Sequence, residues 1–407
     1  MGCCHKKKPE PLLIKKTEKA EKEEKAEKIE IIENKNNIIE ESNQKIEENK
    51  SEQNEQSLTV KVSYNDYKPL KLLGRGSFGE VLLVRLKATN KIYAMKILEK
   101  KLLKLKKQQG HTKTERDLMV RINCPFIVNI KSAFQDETNL YLVSEFMQGG
   151  DMFFHLHDGG IIIFNLEKTK FYIIELILAL EFLHKNNMVY RDLKPENILL
   201  DDKGHIKLTD FGLSKVLEEE NDKAYTICGT PQYLAPEILL RQGYDKMIDW
   251  WSLGCIMYEM LTGRLPFAIK RGCKMSMKIY EKKVLFPSNI NSNAKDLIEK
   301  LLIVNPKERL GIDGSESIKS HPFFEGVDWN LAYEKKLTPP FIPKLKSDTD
   351  LRYFDSIFTD EPIGGPKKRN NTRDREREIS NEYNGFTYMA ESVSKELNNL
   401  LKDDDPE

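Results

Sequence analysis

Cysteine is scarce in this chain: six in 407 residues, two of them adjacent at Cys3 and Cys4. That excludes a disulfide framework and points to a reducing compartment. A surplus of either charge is missing too. Lys and Arg (65) almost cancel Asp and Glu (64), for a formal net charge of +1, so no global field draws the protein to nucleic acid. No apolar run reaches the ~18–20 residues that cross a bilayer. The longest, around residues 171–183, carries Glu175 and Glu181. The first eight residues have no apolar stretch behind them, so a secretory signal is not expected there. These absences set aside a collagen, a small secreted scaffold and a membrane-spanning protein. Of what is present, 39% is hydrophobic and 32% charged, with mean hydropathy −0.55, so part of the chain is too polar to bury a core. At about 150 residues per domain, the length allows two or three folded units.

From residue 6 to about 57 the chain is almost all Lys, Glu, Asn, Gln and Ile. Glu–Lys pairs four apart support a solvated helix by ~0.2–0.5 kcal/mol each. The isoleucines keep no heptad seam. Residues 1–57 are therefore expected to be a disordered or fraying extension, with a short partner-binding helix as the alternative. Order begins near residues 58–67. Up to about residue 146 the pattern reads mainly as strands: Leu72-Leu73-Gly74, Val81-Leu82-Leu83-Val84-Arg85, Ile92-Tyr93-Ala94-Met95-Lys96-Ile97-Leu98 and Leu140-Tyr141-Leu142-Val143. One helix near 112–121 interrupts them. Between residues 151 and 324 helical spacing dominates, as at 167–185, 249–262 and 293–304. A small strand-rich lobe joined to a larger helical lobe results, an α+β organisation. Beyond residue 324 the chain reads as an extended tail without its own core, with a charged, mobile segment at 366–378.

Gly74-Arg75-Gly76-Ser77-Phe78-Gly79-Glu80-Val81 fits G-x-G-x-x-G-x-V. Glycine lets backbone N–H groups close over phosphate oxygens, although a tight hairpin turn alone accounts for the pattern as well. A dinucleotide fingerprint requires a helix next, and a strand follows here. Lys96 interrupts a strand otherwise fit for burial, which costs free energy unless an anion meets it. An edge-strand lysine reaching water is the alternative. Glu115 on the following helix is placed to pair with it. Tyr190-Arg191-Asp192-Leu193-Lys194-Pro195-Glu196-Asn197 then precedes Asp210-Phe211-Gly212, and Ala235-Pro236-Glu237 follows.

In this order and spacing the chain resembles a eukaryotic protein kinase. Tyr190 in place of the usual His is similar to the AGC group of Ser/Thr kinases. So are Gly229-Thr230-Pro231-Gln232-Tyr233-Leu234-Ala235-Pro236-Glu237 and Asp249-Trp250-Trp251-Ser252-Leu253-Gly254. The tail most resembles protein kinase B and the ribosomal-protein kinases. The resemblance implies a two-lobed kinase fold, with an extension at 1–57, a catalytic domain at 67–324, an AGC-type tail at 325–390 and a flexible acidic end at 391–407. It implies ATP and Mg²⁺ as cofactors. Asp192 would be the base and Lys194 would offset charge on the transferring phosphoryl group. Asn197 and Asp210 would hold the metal. Gly74, Gly76, Ser77, Phe78, Gly79, Val81, Ala94, Lys96, Glu115, Ser144, Glu145 and Met147 would line the ATP site. With a loose transition state, catalysis is mostly positioning and electrostatics. Arg309 resembles the family's buried partner of Glu237, and Asp249 its brace for the catalytic loop.

The same resemblance makes Thr226 an activation-loop phosphosite, with Arg191, Lys215 and His111 as donors to its phosphate. Tyr383-Asn384-Gly385-Phe386-Thr387-Tyr388 resembles the hydrophobic motif that folds back onto the small lobe, with Thr387 as a second phosphosite. No Ser/Thr-Pro turn motif stands at the usual distance upstream, so anchoring of the tail by a phosphate there is not expected. Phe354 is read equally as an adenine-site aromatic or as packing. Asp151, Glu196 and Glu259 match positions that receive basic side chains, so Ser/Thr substrates with upstream arginine are expected. An upstream activating kinase is a second partner, and no nucleic acid is expected. Small Ser144 beside the adenine pocket predicts sensitivity to bulky purine analogues. Gly2 with Cys3 and Cys4 suggests myristoylation and palmitoylation, aided by Lys6-Lys7-Lys8, although Lys6 stands where Ser or Thr is preferred. That implies a cytoplasmic protein held at a membrane surface. The competing readings are an inactive kinase-like scaffold and a membrane-tethered adaptor.

Overall fold

A computed structural model describes residues 61–76, 78–106, 109–157, 162–217, 222–267, 283–363 and 383–403. The extension at 1–57 with Gly2, Cys3 and Cys4, the charged segment at 366–378, Ser77 and the side chain of His111 lie outside the described residues.

The small lobe is built on strands β1 (Tyr67–Gly76), β2 (Gly79–Leu86), β3 (Ile92–Glu99), β4 (Ile130–Gln135) and β5 (Asn139–Glu145). Helices α1 (Lys100–Leu105) and α2 (Gln109–Arg121) lie between β3 and β4. The sheet is antiparallel in the order β1-β2-β3-β5-β4. Alternation along the strands divides its faces. Leu82, Val84, Tyr93, Met95, Ile97, Tyr141 and Val143 fill one core, and Leu98, Leu140 and Leu142 join the core of the larger lobe. Lys96 pairs in register with Val81 and Leu142, on the second face.

The large lobe contains α3 (Met152–His157), α4 (Leu166–Lys185), short strands β6 (Met188–Val189), β7 (Ile198–Leu200), β8 (Ile206–Leu208) and β9 (Lys215–Val216), then α5 (Pro236–Leu240), α6 (Met247–Thr262), α7 (Ser292–Leu301) and α8 (Ser315–Lys319). Asn165 caps α4 through its side chain, and Gly263 in the left-handed region ends α6. The acids that interrupt the apolar run of α4 are held by long-range partners. Glu175 meets His205 at 2.6 Å, and Glu181 meets Lys319 at 2.6 Å and Ser315 at 2.7 Å. Among the described residues, no helix is long and apolar enough to cross a membrane.

The tail carries α9 (Trp329–Tyr333) and α10 (Ser356–Thr359), then β10 (Tyr388–Met389), which pairs antiparallel with β4 as a sixth strand of the small-lobe sheet. The expectation of a flexible acidic end at 391–407 is corrected for its described part. Residues Glu391–Asp403 form α11, with Val393 and Leu397 buried in the small-lobe core beside Tyr67 and Tyr141. The spacing of those two residues places both on one helix face, and burying them outweighs the surrounding charge.

Candidate active site

Lys96 leaves β3 on the cleft side of the sheet, where its Nζ lies 2.7 Å from Glu115 Oε1 on α2 and 3.2 Å from Asp210 Oδ1. Burial disfavours its ammonium, but Asp210 and Glu115 outweigh that and raise its pKa. Lys96 in turn holds the Asp210 carboxyl below the usual carboxylate range. Asp210 also sits at φ 59°, a left-handed backbone uncommon outside glycine.

The catalytic turn runs from Arg191 to Asn197. Asp249 of α6 braces its entry, accepting from the backbone N–H groups of Tyr190 and Arg191 at 2.9 Å each and facing His184 at 2.8 Å. Tyr190 is fully buried, donates its hydroxyl to the Thr209 carbonyl and packs edge-on against Phe211, 5.2 Å between centroids. Asp192 is held from three sides. Thr230 donates to its Oδ1 at 2.8 Å, Asn197 Nδ2 to its Oδ2 at 3.0 Å, and Lys194 Nζ lies 2.9 Å from Oδ2. Lys194 also donates to the Thr230 hydroxyl at 3.1 Å. Sequence reasoning quoted Thr230 in its motif but gave it no task.

Asn197 turns its amide nitrogen to Asp192, so its amide oxygen is the atom left to meet a cation. An amide oxygen and one carboxylate are hard donors of the kind that suit Mg²⁺. Among the described residues no three His, Cys, Asp or Glu side chains cluster as a metal cage.

At Gly74 and Gly76 an added Cβ would meet nothing within 4 Å, so there is open room beside the loop for phosphate. Gly79 is glycine for another reason: a Cβ there would lie 1.7 Å from the Ile97 carbonyl oxygen of β3. Phe78 and Val81 are half-buried at the loop and its exit. Ala94 and Ser144 face each other in the β3–β5 register. Met147 is buried. Glu145 is pinned at Oε1 by Lys207 at 2.6 Å and by the Asn129 N–H at 2.7 Å. Phe354 stacks on Phe146, centroids 5.5 Å apart, which places the tail against the segment joining the lobes.

Glu237 and Arg309 form a bidentate pair at 2.7 and 3.0 Å, with Arg309 fully buried. Thr226 is exposed, and its carbonyl accepts from the Tyr244 hydroxyl at 2.6 Å. The same hydroxyl accepts from Arg191 at 3.2 Å, and Arg191 also donates to the Leu213 carbonyl. Tyr244 thus links the activation segment to the catalytic turn, a role no local motif announced. Lys215 is exposed on β9, and His111 falls within α2.

Asp151 caps α3 through the Phe154 N–H at 2.8 Å. Burial, helped by Glu196 and Asp355, pushes its carboxyl up to about 6. Glu259 is buried, accepts from Tyr233 at 2.6 Å and faces His157 at 3.5 Å. Glu196 is exposed and acts electrostatically on both. Tyr383 and Phe386 are buried beside α2, with Arg116 over the Phe386 ring and Gln135 donating to the Tyr383 carbonyl at 2.9 Å; Thr387 remains exposed. Upstream in the tail, Glu361 pairs with Arg75 of the glycine loop at 2.6 Å and Lys71 donates to the Thr359 carbonyl at 2.9 Å, where no phosphate is expected.

A strand-rich lobe and a helical lobe, with an anchored lysine, a braced catalytic turn and an acidic Asp-Phe-Gly turn between them, define a protein kinase. Residues 67–324 match the protein kinase domain and residues 345–388 the protein kinase C terminal domain. The chain is similar to the serine/threonine-protein kinase YPK2/YKR2 of Saccharomyces cerevisiae, 46% identical with 81% of this chain and 48% of that one covered. It is similar to the serine/threonine-protein kinase gad8 of Schizosaccharomyces pombe at 48% identity, covering 74% and 52%. A RAC family serine/threonine-protein kinase homolog of Dictyostelium discoideum is 43% identical over 82% of this chain and 74% of its own length. The chain belongs to the protein kinase family, and within it to the AGC group of Ser/Thr kinases. It spans about half the length of the first curated relatives it matches.

Proposed function

We propose that this chain transfers the γ-phosphoryl group of ATP to Ser/Thr hydroxyls of proteins that carry arginine upstream. The observation that carries the reading is the convergence of Lys96, Glu115 and Asp210 on one side of the cleft with the Asp192–Asn197–Lys194–Thr230 network on the other. Asp192 orients the substrate hydroxyl and accepts its proton as the oxygen bonds to phosphorus and the bond to ADP breaks. Lys194, tied to Asp192 and Thr230, meets charge on the transferring group. Lys96 steadies the phosphates, and the glycine loop offers them its backbone N–H groups. Asp210 and Asn197 would hold Mg²⁺, which would supply neutralisation of phosphate charge. ATP turnover on an Arg-bearing peptide tests the assignment: a parent chain without turnover would favour a kinase-like scaffold, and Asp210→Ala should abolish transfer, so that undiminished transfer in that variant would remove the role given to Asp210.

An upstream kinase phosphorylates Thr226, whose phosphate Arg191 and Lys215 receive, and phosphorylation of Thr387 holds the hydrophobic motif on the small lobe. Thr226→Ala as active as the parent would end that reading. Half-buried Ser144 leaves a recess for bulky purine analogues, which Ser144→Met should close. Acylation at Gly2 and at Cys3 or Cys4 would tether the kinase to the cytoplasmic face of a membrane, supported by Lys6-Lys7-Lys8. Membrane fractionation unchanged by Gly2→Ala would contradict it.

A further inference from the structure

Asp151, Glu196 and Glu259 form the acidic stretch assigned above to substrate arginine. Among the described residues no Lys or Arg side chain pairs with any of the three. One cationic-capable group does reach them. His157, at the end of α3, places Nε2 3.5 Å from Glu259 Oε1, while Tyr233 holds the other oxygen, Oε2, at 2.6 Å. The Glu259 side chain is only 5% exposed and that of His157 is 28% exposed, so the imidazole is the more accessible of the two. Its ring is fixed by stacking on Phe153, centroids 4.3 Å apart, and by Nδ1 against the Phe153 carbonyl at 3.2 Å.

We infer that His157 is a specificity-determining residue, an internal competitor that occupies the oxygen of Glu259 which an incoming guanidinium needs. The inference rests on the reading of Glu259 as a substrate subsite. A peptide arginine binds there only by displacing or sharing the imidazole, which lowers affinity for any single basic contact. A guanidinium offers several donors in one plane and can share the Glu259 oxygen with the imidazole, whereas a compact ammonium competes with it at a single point. The site therefore favours arginine over lysine.

The test measures kcat/KM for two peptides differing only in Arg or Ala at the subsite position, and takes their ratio. His157→Ala should raise the ratio roughly fivefold, the scale of one partly exposed ion pair. His157→Arg, a permanent cation, should lower it by roughly the same factor. A merely structural histidine would not move the ratio in opposite directions. Glu259→Gln serves as the control and should bring the ratio close to one. If Glu259→Gln collapses the ratio but neither His157 variant shifts it, the competitor is overturned and the subsite stands. If Glu259→Gln leaves the ratio intact, the subsite reading falls and the inference falls with it.

Discussion

Two glutamates of the large lobe are equally buried and differently used. Glu237 is 5% exposed and Glu259 4%. Glu237 gives both oxygens to Arg309, whose other donors go to the Met247 carbonyl at 2.8 Å and the Ile303 carbonyl at 3.0 Å. Every polar atom of that pair is matched by protein, and the contact holds α5 against the start of α6. Glu259 has one phenol at full hydrogen-bond distance and one imidazole at 3.5 Å, and burial pushes its carboxyl up. It retains capacity for another cation. The difference teaches that equally buried acids can differ in how far the protein saturates their oxygens, which is what the proposed division into a structural and a substrate-facing acid rests on.

The contrast can be broken at several points. The largest effect is expected at Asp192, where Asp192→Asn should lower kcat by ~10²–10⁴-fold, the usual contribution of a general base. Transfer surviving that change would deny Asp192 its catalytic role. Next, Arg309→Ala strands Glu237 and should cost ~3–5 kcal/mol in urea unfolding. Glu259→Gln should cost far less, and equal losses would erase the distinction between the two acids. Leu397→Ala on α11 should remove about 2 kcal/mol of stability without altering arginine selectivity. The smallest effect concerns Asp151, whose carboxyl protonates as pH falls through about 6. Its attraction for arginine is present above that pH and lost below it. KM for an Arg-bearing peptide should therefore rise about threefold between pH 7.5 and 5.5, on the scale of one partly exposed ion pair, and Asp151→Asn should flatten that slope.

Much of the site was legible because its chemistry is written in short windows. The turn from Arg191 to Asn197 and the Asp210-Phe211-Gly212 turn each place their functional groups within a few residues, where spacing constrains geometry. Thr230 and Tyr244 were not legible, since both work across the fold: Thr230 reaches Asp192 from 38 positions away and Tyr244 reaches Arg191 from 53. His157 was hidden likewise, because nothing on α3 announces that α6 brings a carboxylate to it. The terminal helix did carry a signal, Val393 and Leu397 four apart, but the acidic residues after it masked an apolar face.

Taken by itself, the order of residues determined the kinase architecture, because its glycine loop, catalytic turn and Asp-Phe-Gly turn are short motifs whose order and spacing resemble the family's. Only the folded chain decided which acids are saturated, how Arg75 and Glu361 tie tail to glycine loop, and that residues 388–403 add a strand and a helix to the small lobe. Those outcomes depend on packing between segments tens to hundreds of residues apart, where no local preference states which partner will arrive.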